Sequence, residues 1–344
     1  MRQNNFNFLR FYFAFVVVIG HLIELSNVDS LKKFAPYFSA YISVTAFFCI
    51  SGFLITSSYL NTPSLKDYFK KRAARLLPAY ILVVIVCAFF LSFMSRYSFH
   101  DYFTHPQLFR YLVANLSFLN FVQPCLPGVF LDNGSSCAVN AALWTLKVEV
   151  SFYLAIPILL YFANKFKRKY IFFLLIYFAS VVYRNYLEHL SDVSGNGLYS
   201  IIAHQLPGFL SYFISGIGLY YYYDFFMKNK KLLFIIAIIV FAVERRFGWE
   251  VFTPVSLSVI VFTLAFSFKQ FNSFARHGDI SYGIYIFHYP IIRIAYSLGY
   301  FEKYNPYLVS LIIICIVILV GFVSWHLVEK RFLKKAKSVR IDWR

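Results

Sequence analysis

Acidic residues are scarce in this 344-residue chain, in which 15 Asp and Glu stand against 33 Lys and Arg. Charged residues make up 14% and hydrophobic residues 60%, and the mean hydropathy is +0.63, which excludes an ordinary soluble domain. In a soluble chain, a formal charge of +18 would suggest a nucleic-acid partner. Here the basic residues lie between long apolar runs, so the composition predicts a lipid bilayer as the partner and no nucleic acid.

The sequence also lacks the short motifs of several common chemistries. It contains no H-E-x-x-H, no cysteines at zinc spacing, no Walker phosphate loop and no G-x-S-x-G nucleophile elbow. His100 and His105 flank Asp101, but three such residues in one loop are weak grounds for a metal site, so we predict none. Cys125 and Cys137 share a loop where an oxidising compartment would allow a disulfide, and their spacing alone leaves the pairing open.

Ten apolar segments approach the length of a membrane-spanning helix, which is roughly 20 mostly apolar residues. They are residues 6–25, 37–60, 77–95, 144–163, 170–187, 200–223, 232–247, 251–268, 280–299 and 307–327. We therefore expect an all-α fold in which residues 1–344 form one domain, a polytopic bundle of about ten transmembrane helices. The apolar stretch 108–123 is interpreted as an outer re-entrant or interfacial segment, because a further crossing would place the basic cluster at 165–169 outside.

The distribution of Lys and Arg predicts the orientation of the bundle. With a cytoplasmic N-terminus, the inner segments, including Arg2 and residues 329–344, hold 22 basic residues, and the outer segments hold eight. Because cytoplasmic loops carry the excess of Lys and Arg, both termini are predicted to be cytoplasmic.

Ionisable side chains within apolar spans are costly, so each is a candidate for function. Arg10 and His21 are eleven residues apart, close to three helical turns, which places both on one face with a rise of roughly 16 Å between them. This geometry suits an anionic donor held at the inner surface while its reactive end reaches a base deeper in the membrane. The alternative is that Arg10 reaches to lipid headgroups and His21 is a hydrogen-bonded interfacial histidine.

Two later helices carry polar stripes. In WTLKVEVSFYL, Thr145, Glu149 and Tyr153 share one face below Trp144, and Glu149 either orients a histidine, binds an acceptor hydroxyl or forms a structural ion pair. In ISYGIYIFHYP, the stripe that points into the bundle consists of Ser281, Tyr285 and His288. Pro290 frees the carbonyl of Ile286, so we expect a kink beside a cavity, or alternatively a packing network of hydrogen bonds.

A pair of arginines lies between the second and third apolar segments. Arg72 and Arg75 are one turn apart in FKKRAARLLPAY. Guanidinium pairs suit phosphate recognition, whereas the alternative is charge that only orients the chain in the membrane.

The order of these motifs resembles the acyltransferase-3 family of integral-membrane O-acyltransferases. The resemblance runs from Asn7 to Arg331 and rests on the Arg10 and His21 pair and on five motifs. These are FFCISGFLI at 47–55, FKKRAARLLPAY at 69–80, WTLKVEVSFYL at 144–154, ISYGIYIFHYP at 280–290 and, more weakly, VEKRF at 328–332. Val150 stands where the family commonly has a second acidic residue, which places more weight on Glu149.

The resemblance implies transfer of an acyl group, most often acetyl, from cytoplasmic acetyl-CoA to a hydroxyl of a cell-surface or lipid-linked carbohydrate at the outer face. It also implies a bacterial cytoplasmic (inner) membrane. On this basis Arg10, Arg72 and Arg75 hold CoA phosphates, and His21 is the general base or the essential residue of a relayed transfer, with Glu149 and Arg10 also catalytic. The substrate-binding residues are expected to be Trp144, Tyr153, Ser281, Tyr285 and His288.

Many relatives in this family carry a fused hydrolase-like domain that completes the transfer outside the membrane. This chain has none, so we expect either direct action on the acceptor or a separate periplasmic or assembly-pathway protein. A different functional class stays open, a proton-coupled transporter or flippase of a lipid-linked sugar that uses Arg10, His21 and Glu149 as a relay. A scaffold of a polysaccharide assembly complex is a third.

Overall fold

A computed structural model describes residues 4–131, 136–271, 274 and 278–335, which leaves Arg2 and the basic residues beyond Lys335 outside it. The described residues form helices and turns and contain no strand, in agreement with the all-α prediction. The long helices are α1 Phe6–Ser26, α2 Ala40–Leu60, α3 Leu65–Phe90, α4 Trp144–Lys165, α5 Lys169–Ser194, α6 Leu206–Tyr221, α7 Tyr223–Phe247, α8 Thr253–Ser267, α9 Ser281–Ser297 and α10 Pro306–Ser324.

Shorter helical pieces connect the long helices. The α-helical ones are Asp29–Lys32, Phe99–Thr104, Pro106–Leu116, Gly197–Ala203 and Tyr300–Lys303, and the 3-10 turns are Ala35–Tyr37, Leu91–Met94, Ala141–Leu143 and Lys269–Phe271. After α10, a π-helical turn at Trp325–Glu329 leads into a last short helix, Lys330–Lys335. Cys125 and Cys137 lie in the connection before α4 and are joined in a disulfide. The structure thus settles the pairing that the spacing left open.

Six described stretches are long and apolar enough to cross a membrane by length and composition. They are Phe6–Ser26, Asp29–Leu60, Leu65–Met94, Ala141–Lys165, Lys169–Ser194 and Pro306–Leu333. The other predicted spans overlap α6, α7, α8 and α9, of which α6, α8 and α9 are shorter than 18 residues. Two boundaries differ from the prediction: α7 begins at Tyr223 and not at residue 232, and the segment 200–223 is divided between Gly197–Ala203 and α6. The chain therefore has the helices of a membrane protein, while ten crossings and a re-entrant segment at 108–123 stay predictions.

Helix α3 begins earlier than the apolar pattern predicts. It starts at Leu65 and not near residue 77, because Ser64 caps it: the Ser64 hydroxyl accepts from the Asp67 amide at 3.1 Å and donates to the Asp67 carboxylate at 2.7 Å. The helix also runs through Pro78 without interruption. As a consequence, Arg72 and Arg75 project from the body of this helix and not from its first turn.

Helix α9 carries the polar stripe of Ser281, Tyr285 and His288. It lies between α1 and α10, touches α3, and is buried along most of its length. Pro290 leaves the Ile286 carbonyl without its helical donor, and the side-chain amide of Asn140 donates to that carbonyl at 2.8 Å. This bond ties α9 to the chain that enters α4. It brings the two polar stripes of the sequence to the same region.

Helices α2 and α6 cross at a pair of glycines. A Cβ atom on Gly52 would overlap the backbone oxygen of Phe213, and one on Gly216 would overlap the backbone oxygen of Cys49. The absence of side chains at these positions therefore sets the distance between the helices, as small residues do at helix interfaces in membranes.

Gly52→Ala is expected to lower the free energy of unfolding by about 1–3 kcal/mol, because the added methyl group forces two backbones apart. The measurement is thermal unfolding in detergent. Gly218→Ala, also in α6, is the control, since nothing lies within 4 Å of the position that its Cβ atom would take, and it should leave the unfolding temperature unchanged or slightly raised. Equal destabilisation by the two substitutions would contradict the close approach at Gly52.

Candidate active site

A cavity of about 510 Å³ lies between α1, α2, α3, α4 and α9. One end is basic, where Arg10 of α1 meets Lys71, Arg72 and Arg75 of α3. The other end is closed by apolar side chains and by the hydroxyl groups of Thr145 and Tyr285, which are bonded to each other at 2.7 Å. The volume falls within the range of ~300–1,000 Å³ that is typical of pockets for small molecules.

Asp279 organises the basic end. Its carboxylate accepts from Nη2 of Arg75 at 2.5 Å and lies 3.8 Å from Nη1 of Arg10, and the Ser281 hydroxyl donates to its other oxygen at 2.5 Å. Burial opposes ionisation of Asp279, but the guanidinium groups of Arg75 and Arg10 outweigh it and hold the pKa of this carboxyl group below its ordinary value. Asp279 is therefore an anion that fixes two arginines.

A second carboxylate supports Arg75 from the π-helical turn after α10. Glu329 lies 4.0 Å from Nη1 of Arg75 and accepts from the Ser324 hydroxyl at 3.1 Å. Trp325, on the same turn, lines the cavity and has the Arg75 guanidinium 6.0 Å from its ring centre. Arg75 is thus held on two sides. Arg72 instead lies over the ring of Tyr153, at 5.8 Å.

The polar face of α4 lines the cavity, as the fourfold spacing predicts. Thr145, Glu149 and Tyr153 all border it, and the Tyr153 hydroxyl donates to Oε1 of Glu149 at 2.6 Å. The ammonium group of Lys147 does not approach Glu149 but lies 4.2 Å from the ring centre of Phe121. Glu149 is therefore bonded to a tyrosine of its own helix, and no Lys or Arg among the described residues lies within ion-pair distance of it.

Trp144 is placed elsewhere. Its ring packs against His204 at 5.8 Å and Phe209 at 5.6 Å between centres, and it is not part of the cavity lining. Of the other residues expected to bind substrate, Tyr153, Ser281 and Tyr285 border the cavity, whereas His288 does not.

His21 and His288 form a pair behind Tyr285. The Nδ1 atom of His21 lies 2.7 Å from Nε2 of His288, and the two rings are nearly parallel with centres 5.0 Å apart. His288 is fully buried, and its Nδ1 lies 2.6 Å from the backbone carbonyl of Tyr285. His21 is partly exposed, so it is the member of the pair that an incoming molecule can reach.

Tyr285 separates the cavity from the histidine pair. Its hydroxyl closes the cavity with Thr145, its carbonyl bonds to His288, and Phe47 packs edge-on against its ring at 5.9 Å. His21 is not part of the cavity lining. The sequence predicts a passage along the face shared by Arg10 and His21. In the structure, the side chain of Tyr285 lies between the cavity and His21.

Two acidic residues of the site were not identified from the sequence. Asp279 directly precedes the stripe of α9, and Glu329 lies within the weak VEKRF motif. The scarcity of acidic residues could have pointed to them, because an acidic residue beside an apolar run is a candidate for function. Among the described residues no cluster of three His, Cys, Asp or Glu side chains forms a candidate metal site.

Comparisons with known proteins identify the same family that the sequence motifs resemble. A family model for an acyltransferase domain, acyltransferase-3, matches residues 3–326. A Shigella phage Sf6 protein named O-acetyl transferase is 24% identical over 97% of this chain and 97% of its own length. Nodulation protein 10 of Rhizobium leguminosarum is 26% identical over 98% of this chain and 95% of its own.

A shorter match links the chain to O-acetyltransferase OatA of Staphylococcus aureus, with 29% identity over 44% of this chain and 24% of that protein. No solved structure matches. The family match spans nearly the whole chain and includes Arg10, His21 and both polar stripes. The chain therefore belongs to the acyltransferase-3 family and is an acyltransferase.

Proposed function

We propose that this protein is a membrane O-acetyltransferase that moves an acetyl group from cytoplasmic acetyl-CoA to a hydroxyl of a cell-surface or lipid-linked carbohydrate on the outer face. The observation that carries the proposal is the cavity with arginines at one end and the His21 and His288 pair directly behind its other end. The names of the phage Sf6 and Staphylococcus aureus relatives support acetyl as the group transferred.

The basic end of the cavity is the proposed donor site. CoA carries phosphates, and Arg10, Arg72 and Arg75 supply planar, permanently charged groups that pair with phosphate oxygens. Asp279 and Glu329 offset part of this charge, but they also hold Arg75 in place, so the site is ordered before the donor arrives. The acetyl-bearing arm would then extend toward Thr145 and Tyr285 at the closed end.

His21 is the proposed general base. Its Nε2 atom removes the proton of the acceptor hydroxyl, the oxygen attacks the carbonyl carbon of the thioester, the carbon–sulfur bond breaks and the proton passes to the sulfur of CoA. Because Tyr285 stands between the cavity and His21, transfer requires its side chain to turn aside. Glu149, bonded to Tyr153 in the cavity lining, is the residue proposed to bind the arriving acyl arm or acceptor.

The proposed location is a bacterial inner membrane with both termini in the cytoplasm. It follows from the excess of Lys and Arg on the side that also holds the arginines of the cavity. A donor made in the cytoplasm then meets the basic end directly. The acceptor arrives at His21 from the opposite side.

A proton-coupled transporter is the second candidate, because a histidine pair and a partly buried carboxylate, Glu149, are typical of proton relays in membranes. It differs from the first in leaving acetyl-CoA intact. Measuring whether acetyl-CoA is consumed therefore distinguishes the acetyltransferase from the transporter.

The test traps a cell-envelope carbohydrate fraction inside membrane vesicles and supplies labelled acetyl-CoA outside them. In inverted vesicles, the cytoplasmic face is outward and the trapped carbohydrate meets the outer face. We expect release of CoA and labelled carbohydrate, and no transfer in sealed right-side-out vesicles, because acetyl-CoA does not cross a bilayer. Vesicles without the protein provide the background. Intact acetyl-CoA in the inverted vesicles would favour the transporter, and transfer only in right-side-out vesicles would reverse the proposed orientation.

A further inference from the structure

The partners of the two histidines determine where their protons lie. A backbone carbonyl can only accept a hydrogen bond, so the Nδ1 atom of His288 that faces the Tyr285 carbonyl at 2.6 Å must carry a proton. A neutral His288 then has a bare Nε2 atom, which can only accept. The Nδ1 atom of His21, 2.7 Å away, is therefore the donor.

This chain of bonds leaves Nε2 of His21 without a hydrogen-bond partner among the residues that the structure describes. With Nδ1 protonated, Nε2 of neutral His21 carries the lone pair that a general base requires. We propose that His288 is a positioning residue that holds His21 in this tautomer and orientation, with the Tyr285 carbonyl as the fixed end of the chain. This inference rests on the proposed function for one point only, the role of His21 as the base.

The environment of His288 fits an orienting role. Its side chain is fully buried, and it does not border the cavity, so it touches neither end of the proposed donor site. Within the described residues, neither ring of the pair lies within salt-bridge distance of a carboxylate. His21 is therefore oriented by a neutral partner and not by the aspartate common in catalytic triads.

Helix α9 is held firmly at this point. The carbonyl freed by Pro290 belongs to Ile286, one residue after the carbonyl that anchors His288, and Asn140 takes it up at 2.8 Å. The next residue after His288, Tyr289, contacts the ring of His21 edge-on, with 5.4 Å between the ring centres. The anchor, the pair and the neighbouring ring thus belong to one short section of α9 packed against α1.

The kinetic test compares His288→Leu with His288→Gln. Glutamine places its side-chain oxygen near the position of the histidine Nε2 and can accept from His21, whereas leucine cannot. We expect His288→Leu to lower kcat for acetyl transfer by at least about tenfold with the KM for acetyl-CoA unchanged, and His288→Gln to stay within a few-fold of wild type. Equal rates in wild type and His288→Leu, or equal loss in both variants at wild-type thermal stability, would overturn the proposal.

A spectroscopic test does not depend on activity or on a stable His288 variant. In the full chain with ¹⁵N-labelled histidine, His21 should give the signals of an Nδ1-protonated neutral ring, assigned by their loss in His21→Asn. A His21 that carries its proton on Nε2 would overturn the proposal. If wild-type protein instead shows the expected tautomer but transfers no acetyl group, the proposed function fails while the orientation of His21 by His288 stands.

Discussion

Replacing His21 with alanine is expected to lower acetyl transfer by roughly 10²- to 10⁴-fold, the contribution typical of a general base. Among the residues that the structure describes, the imidazole nearest to His21 is that of His288, which cannot take over the role because it is fully buried and both of its ring nitrogens are engaged. The measurement is the rate of label transfer from acetyl-CoA to carbohydrate in inverted vesicles, at matched amounts of membrane-inserted protein.

Two further variants separate loss of the base from loss of structure. His21→Asn keeps a donor near the Nδ1 position that can still bond to His288, but it has no basic nitrogen, so it should be as inactive as His21→Ala and as heat-stable as wild type. His189→Ala, in the C-terminal part of α5, removes a histidine outside the site and should retain full activity. Wild-type transfer by His21→Asn would remove His21 from the chemistry.

Periodicity predicted which side chains share a face. Thr145, Glu149 and Tyr153 do border one cavity, and Ser281 and Tyr285 border it from α9, because helical spacing fixes the direction of each side chain relative to its neighbours. Apolar length likewise located the long helices to within a few residues at most boundaries. The direction of a side chain on a helix and the length of an apolar run are local properties, since each depends only on residues close in the chain.

The pairing of His21 with His288 could not be obtained in this way. The two residues are 267 positions apart, and their contact exists only because α1 packs against α9, which no repeat of apolar residues specifies. The early start of α3 was missed because a capping serine, not hydrophobicity, sets it. The sequence predicted an open passage from Arg10 to His21, because the position of the Tyr285 side chain between the cavity and His21 depends on a different helix, α9.

Arg75→Ala is expected to raise the KM for acetyl-CoA by about 10- to 100-fold. Arg75 supplies a charge-assisted bond of a kind worth roughly 1.5–3 kcal/mol, and about 1.4 kcal/mol corresponds to a factor of ten in binding. The same substitution leaves Arg10 as the remaining cation beside Asp279. It also removes the guanidinium 4.0 Å from Glu329, which is 1% exposed, so the unfolding temperature should fall as well. Donor titrations and thermal unfolding in detergent measure the two effects.

The two effects have different causes, so a second substitution should separate them. In Arg75→Ala combined with Glu329→Gln, the carboxylate left without a cation is neutralised as well, and most of the stability should return while the KM stays high. Arg72→Ala should raise the KM without a comparable loss of stability, because Arg72 lies over Tyr153 and not between two carboxylates. Lys70→Ala, an exposed neighbour outside the cavity lining, is the matched control. If Lys70→Ala raised the KM as much as Arg75→Ala, the arginines would serve only to orient the chain in the membrane and the cavity would not be the donor site.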